Sequence, residues 1–307
     1  MNYSKKLLSL FAVLFCLLNA NAQAQEKLVV AVQPTLATGE MIEKAKPLQE
    51  LLEKNLGQKV EIYAPMSYAA VVESLRFGHA QIALMGAWPA KLAVDLAQAE
   101  LPLAEIRTVM HGQEKTEANY YYSYWIVKKD AAYTKLEELR GKNVCFPSPI
   151  STSGYVAPIG HLVDLGLLSH EEGKETDPKS FFGQVVFGGG YQQCWTALTQ
   201  GQVDVTVTAG DIPAKLYEEI MQQSKILEEQ GPIPSHALVL AKGLSPETRS
   251  KIISTFEELG KPEHQSLMRN FVSGIFVGFK ETTAEEHLKG LNHYLKQTGL
   301  KFTEKLG

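Results

Sequence analysis

One pattern constrains this chain more than any other: a glycine, a polar turn, an apolar strand, a glycine-bearing loop and then Pro-Ala-Lys-Leu entering a helix. It occurs at residues 78–92 (GHAQIALMGAWPAKL) and again at residues 201–216 (GQVDVTVTAGDIPAKL). Around the first copy, residues 27–33 (KLVVAVQ), 60–63 and 81–85 read as strands. They alternate with helical periodicity over residues 41–56, 68–77 and 89–99. Around the second, strands at residues 120–127, 143–146, 184–187 and 203–207 alternate with a short helical turn at 136–139 and a helix at 153–165. Alternation of this kind predicts parallel sheets flanked by helices. Two similarly built α/β lobes are therefore expected, with a ligand cleft between them at the carboxyl ends of the strands.

Less regular segments complete the expectation. Residues 236–240 read as a strand, 246–259 as a helix, 274–278 as a short apolar segment and 284–298 as a terminal amphipathic helix. Crossings between lobes are expected near residues 112–119 and 231–235. The division is thus 25–115 for the first part of lobe 1, 116–232 for lobe 2, and 233–307 for the return to lobe 1 and the C-terminal helices.

Residues 1–24 are set apart as a secretory signal. Lys5 and Lys6 precede a short apolar run at residues 7–18, and Ala22 and Ala24 supply small residues two apart for cleavage. The run is too short to span a bilayer. Phe15, directly before Cys16, does not match a lipidation signal, so a periplasmic protein that is not a lipoprotein is expected. A net charge of -4 gives no overall positive field for nucleic acid.

Chemistry concentrates where strands run into helices. Cys145-Phe146-Pro147-Ser148-Pro149-Ile150-Ser151-Thr152-Ser153-Gly154-Tyr155 places three consecutive hydroxyl side chains and a glycine between a strand and a helix. First-turn amides reinforced by such hydroxyls suit a tetrahedral oxyanion, although Ser and Thr are also ordinary helix caps. Ser67 and Tyr68 open another helix, and Trp88 follows Gly86 where it would wall a pocket. In the aromatic run, alternation puts Tyr120, Tyr122 and Tyr124 on one face and Tyr121 and Trp125 on the other. Gly188-Gly189-Gly190-Tyr191 permits a tight backbone approach but lacks the lysine and spacing of a P-loop, so ATP is not expected.

In order along the chain, several short segments resemble one family. These are Ser67-Tyr68, Gly78-His79-Ala80-Gln81-Ile82-Ala83, Tyr122-Ser123 before Trp125-Ile126-Val127, Leu139-Arg140-Gly141-Lys142-Asn143-Val144, Ser151-Thr152-Ser153-Gly154-Tyr155, Gly201-Gln202-Val203-Asp204-Val205 and Ile233-Pro234-Ser235-His236. Together they are similar to the periplasmic substrate-binding proteins of phosphate, phosphite and phosphonate ABC importers.

The resemblance implies a two-lobed type II periplasmic binding fold, each lobe a mixed or parallel sheet flanked by helices. Such a protein closes on its ligand and docks on an inner-membrane permease, as a monomer, without catalysis, cofactor or metal. It implies that Ser151, Thr152 and Ser153, with Tyr68 and backbone amides, hold the oxyanion; Trp88, Tyr124, Gly154, Tyr155, Tyr191, Asp211 and His236 are further candidates for the ligand site.

Two departures bear on the ligand. Tyr191-Gln192-Gln193-Cys194 stands where many relatives carry a histidine followed by an acidic residue, and His236 stands where an acidic or small residue is common. Loss of an acidic feature argues against an aminophosphonate, while Asp211 remains as one carboxylate for its ammonium. An alternative stays open. Cys145, Cys194, His236 and Met85 are soft ligands that would suit a metal, a metal complex or arsenite, and arsenite-recognising relatives serve membrane sensor kinases. The two cysteines are equally compatible with a disulfide or with buried thiols.

Overall fold

The computed structural model describes residues 27–33, 38–65, 67–271 and 274–301. The secretory signal expected at residues 1–24 and Cys16 lie outside them. The chain opens with β1 (Leu28–Val32), α1 (Thr38–Leu56), β2 (Val60–Tyr63), α2 (Tyr68–Arg76), β3 (Ile82–Met85) and α3 (Ala87–Ala97). β1 and β3 are apolar runs that are almost wholly buried, as strands covered by helices on both faces must be, and β1 pairs in parallel with both β2 and β3. Ala45, Leu48, Leu52 and Leu56 recur at helical spacing on α1 and are all buried. The long β4 (Glu100–His111) and β5 (Glu114–Ala118) then form an antiparallel pair.

The chain next enters a second sheet through β6 (Tyr120–Lys128) and β7 (Val144–Phe146). A π-helical turn (Thr152–Val156) leads into α4 (Ala157–Asp164), followed by β8 (Val185–Phe187), α5 (Tyr191–Thr199), β9 (Val205–Ala209), α6 (Ala214–Gln223) and β10 (Ser224–Pro234). It returns to the first sheet with β11 (Ala237–Leu240), α7 (Pro246–Glu258), α8 (Gln265–Phe271), β12 (Phe276–Glu281) and the short α9 (Ala284–His287). The last helix, α10 (Lys289–Thr298), crosses once more and packs on α4 and β10 of the second lobe.

The result is a two-lobed α/β fold with two mixed sheets. The first has seven strands in the order β12-β4-β11-β3-β1-β2, with β5 beside β4, and the second has five in the order β10-β6-β9-β7-β8. Each lobe has its own apolar core. Leu48, Leu52, Phe256 and Phe276 fill the first. Trp125, Phe146 and Phe182 fill the second, their rings packed edge-on and stacked at 5.7 to 6.1 Å. A third apolar cluster takes residues from both lobes, among them Val71 and Trp88 from one and Tyr124 and Trp195 from the other. No helix among the described residues is long and apolar enough to cross a membrane.

Cys145 on β7 and Cys194 on α5 are joined as a disulfide. Gly188 lies against this bridge, and a Cβ there would come within 2.8 Å of Cys194 Sγ and 3.0 Å of Cys145 Sγ. The glycine run after β8 thus lets the backbone pass a disulfide, a close approach that any side chain would block.

Candidate ligand-binding cleft

Strand ends and helix starts from both lobes meet around a cavity of about 50 Å3. From lobe 2 comes the hydroxyl segment. Ser151 caps the π-helical turn, its Oγ accepting from the Gly154 amide at 3.0 Å. Its carbonyl accepts from both Tyr155 and Val156, the latter being the five-residue hydrogen bond of a π turn, a device frequent at functional sites. Gly154 is required by the tightness of this loop: a Cβ would lie 2.7 Å from Ser151 Oγ and 2.8 Å from Pro147 Cγ. The amides of the first residues of such a turn, Thr152 and Ser153, have no acceptor inside the helix, the arrangement that makes a helix start suited to an anion.

Lobe 1 meets this turn directly. The Trp88 amide, in the first turn of α3, donates to Thr152 Oγ1 at 2.8 Å, which ties one helix N-terminus to the other across the cleft. Gly86 and Pro89 line the cavity from the same strand-to-helix junction, and Asp211 lines it from the matching junction after β9. The two copies of the sequence echo therefore face each other across the cavity. Gln33, at the end of β1, lines the cavity and accepts from the Gly86 amide at 2.9 Å.

Three tyrosines complete the wall: Tyr68 from the start of α2, Tyr121 from β6 and Tyr191 from the start of α5. Ser153 Oγ sits between two of their hydroxyls, 2.9 Å from Tyr121 and 2.7 Å from Tyr191. Burial raises all three phenols above their ordinary range, and the charge of Asp211 adds to the effect. They are consequently neutral O–H donors, suited to an anion. His236, in the return crossing, also lines the cavity, and burial, with Arg107 and His287 nearby, holds it neutral.

One charged group behind this wall gives no sequence signal. Arg107 on β4 is buried and forks between two carboxylates, with Nη1 donating to Asp211 at 2.8 Å and Nη2 to Glu105 at 2.8 Å. The Asp211 carboxyl is pushed up to about 6, chiefly by burial, with Arg107 pulling it down and Glu105 adding to the rise.

Of the sequence-derived site residues, Tyr68, Ser151, Thr152, Ser153, Tyr191, Asp211 and His236 come together in the cleft. Four do not line it. Trp88 contributes its backbone amide, while its indole is buried in the apolar cluster. Gly154 serves the loop. Tyr124 turns its hydroxyl to the Met110 carbonyl, and Tyr155 packs its ring on Phe146 and Phe187 in the lobe 2 core. Gln33 and Tyr121 take part instead, and both carried a signal: Gln33 is the polar residue closing an apolar strand, and Tyr121 belongs to the aromatic run. The soft-ligand set does not assemble, because Cys145 and Cys194 are bonded to each other. No group of three or more His, Cys, Asp or Glu among the described residues is arranged to hold a metal ion.

The sequence profile of the periplasmic substrate-binding protein of phosphonate ABC transporters matches residues 30–287. The chain belongs to this family. As a phosphonate-binding family member it is a periplasmic binding protein, not an enzyme, and its partner is an ABC permease. The phosphonates-binding periplasmic protein of Escherichia coli is 27% identical over 269 residues, 85% of this chain and 75% of that protein. Phosphate-import protein PhnD of Mycolicibacterium smegmatis is 28% identical over 180 residues, so the match spans 58% of this chain and about half, 54%, of that relative. Among solved structures, the binding component of an ABC phosphonate transporter from Pseudomonas aeruginosa superposes with a TM-score of 0.72 at 21% identity, covering 92% of this chain and 91% of that one. That likeness is one of fold.

Proposed function

We propose that this phosphonate-binding family protein captures a compact phosphorus oxyanion, namely phosphate, phosphite or a short alkylphosphonate, between Ser151, Thr152 and Ser153 on lobe 2 and Tyr68, Gln33 and the start of α3 on lobe 1, and delivers it to an ABC importer. The observation that carries this reading is the capped π-helical turn facing a ring of neutral hydroxyl donors around about 50 Å3 of space. A cage of directed O–H and N–H donors binds a tetrahedral anion by several hydrogen bonds without a cation at each oxygen. The cavity's size favours a ligand of few heavy atoms over a nucleotide or a long-chain ester.

Calorimetry on purified protein freed of ligand, across phosphate, phosphite, methylphosphonate, sulfate, arsenate and arsenite, tests this. Binding of at least one phosphorus anion, tighter than sulfate, is expected. Failure of every phosphorus anion to bind would sink the reading.

A further inference from the structure

An oxyanion cleft with a carboxylate in its wall poses an electrostatic problem. Among the described residues lining the cavity, Asp211 is the acidic side chain, and no lysine or arginine accompanies it. Left alone, its negative charge would repel an anion or attract a ligand's ammonium. It is not left alone. Arg107 reaches it from the opposite lobe, Nη1 to Oδ2 at 2.8 Å, with the ion pair almost wholly buried, at 4% and 8% side-chain exposure. The amide of Met110, on the same strand, donates to the carbonyl of Gly210, the residue before Asp211, at 2.9 Å, so the pairing is held by the backbone as well.

We propose that Arg107 is a specificity-determining residue: by pairing with Asp211 across the lobe boundary it withholds the cleft's carboxylate from the ligand, and so selects phosphorus oxyanions without an ammonium-bearing substituent. The proposal rests on the phosphorus-oxyanion reading of the cleft. An ammonium entering beside Asp211 would meet the buried guanidinium as well as the carboxylate. Attraction and repulsion then largely cancel, and the cost of stripping water from the ammonium is not recovered. An anion without such a group meets a carboxylate already engaged by the guanidinium and has no ammonium to desolvate. Glu105, on the same strand and fully buried, holds the second arm of the guanidinium and keeps the fork aimed.

The test compares ethylphosphonate with aminomethylphosphonate, which share head group and heavy-atom count and differ in ending on a methyl or an ammonium. Affinities for both, and for phosphate, are measured by calorimetry on the wild-type chain, Arg107→Gln and Asp211→Asn, with melting curves to check the fold. Arg107→Gln should shift the affinity ratio toward aminomethylphosphonate by about tenfold or more, since it releases the carboxylate, while Asp211→Asn, which leaves the guanidinium without that partner, should not shift the ratio toward aminomethylphosphonate. A ratio in a folded Arg107→Gln within about twofold of wild type overturns the proposal. So does a wild-type preference for aminomethylphosphonate that Asp211→Asn abolishes, and this second variant decides the matter if Arg107→Gln does not fold. If the wild type binds phosphate but the ratios behave in either of those ways, this inference alone fails. If it binds no phosphorus anion, the functional reading fails and takes this inference with it.

Discussion

Thr152 has two partners to satisfy, the Trp88 amide on lobe 1 and, in the functional reading, a ligand oxygen. Replacing it with valine keeps the shape and removes the acceptor, leaving a buried amide unpaired at a cost of about 1–3 kcal/mol to the closed form. Anion affinity in Thr152→Val should drop by about tenfold to a hundredfold, which titration calorimetry reads directly. The pH response also belongs to single residues. His236 is held neutral in the fold, well below its ordinary 6.5, first by burial and then by Arg107 and His287. The unfolded chain takes up that proton, so this contribution to stability is lost as pH falls below about 6.5. Asp211 acts with the opposite sign. Its carboxyl, raised from 3.8 to about 6, holds a proton that the unfolded chain gives up, so its contribution is lost as pH rises through that window. Between about pH 7.5 and about pH 5, His236→Gln should therefore lose less melting temperature on acidification than wild type, and Asp211→Asn should lose more. Equal slopes in the three proteins would refute the assignment. These residues differ in how far the sequence announces them. The hydroxyl segment is conspicuous because three donors follow one another. Arg107 is silent, because Glu105 and Arg107 two apart on a strand have the spacing of a solvent-facing edge, and only the other lobe makes that face interior.

At the level of elements, the disulfide fastens β7, which leads into the hydroxyl segment, to α5, which presents Tyr191. The bridge closes a loop with a sequence separation of 49. Removing it as Cys145→Ala/Cys194→Ala should lower stability by about 2–4 kcal/mol, seen as an earlier denaturant midpoint. Phosphate affinity should stay within a few-fold, since neither sulfur lines the cavity. Thiol titration of the native wild-type protein should find no reactive thiol at either position. Helices and apolar strands such as β1, β3 and β9 are legible in the sequence because their burial is one-sided or complete and their periodicity says so. β4 and β10 are not, because charged and polar residues interrupt them. The terminal amphipathic pattern over residues 284–298 is one helix by spacing, yet Leu288 turns out of the helical register and separates α9 from α10.

For the molecule as a whole, the interlobe contacts at the cleft are Trp88 with Thr152, Arg107 with Asp211, and the strand ends around the cavity. A ligand that bridges this seam stabilises both lobes at once. At a hundredfold excess over its dissociation constant it should add about 2.7 kcal/mol and raise the melting temperature by about 5 °C in a single transition. Two separate transitions, with only one shifted, would show that the ligand engages a single lobe. The repeated glycine-strand-helix pattern made the two-lobed plan readable from residue order. The seam was not readable in the same way, because it is assembled from residues far apart in the chain that share no local motif.

The third crossing has a practical use. β1 lies in one lobe, while α10 rides on α4 of the other and the Lys301 amide bonds Glu175 there. The two extremities of the described chain thus belong to opposite jaws. A donor fluorophore placed beside Lys27 and an acceptor beside Lys301 would report jaw movement as a change in energy transfer, so the protein carries the attachment geometry of a reagentless optical sensor for its own solute.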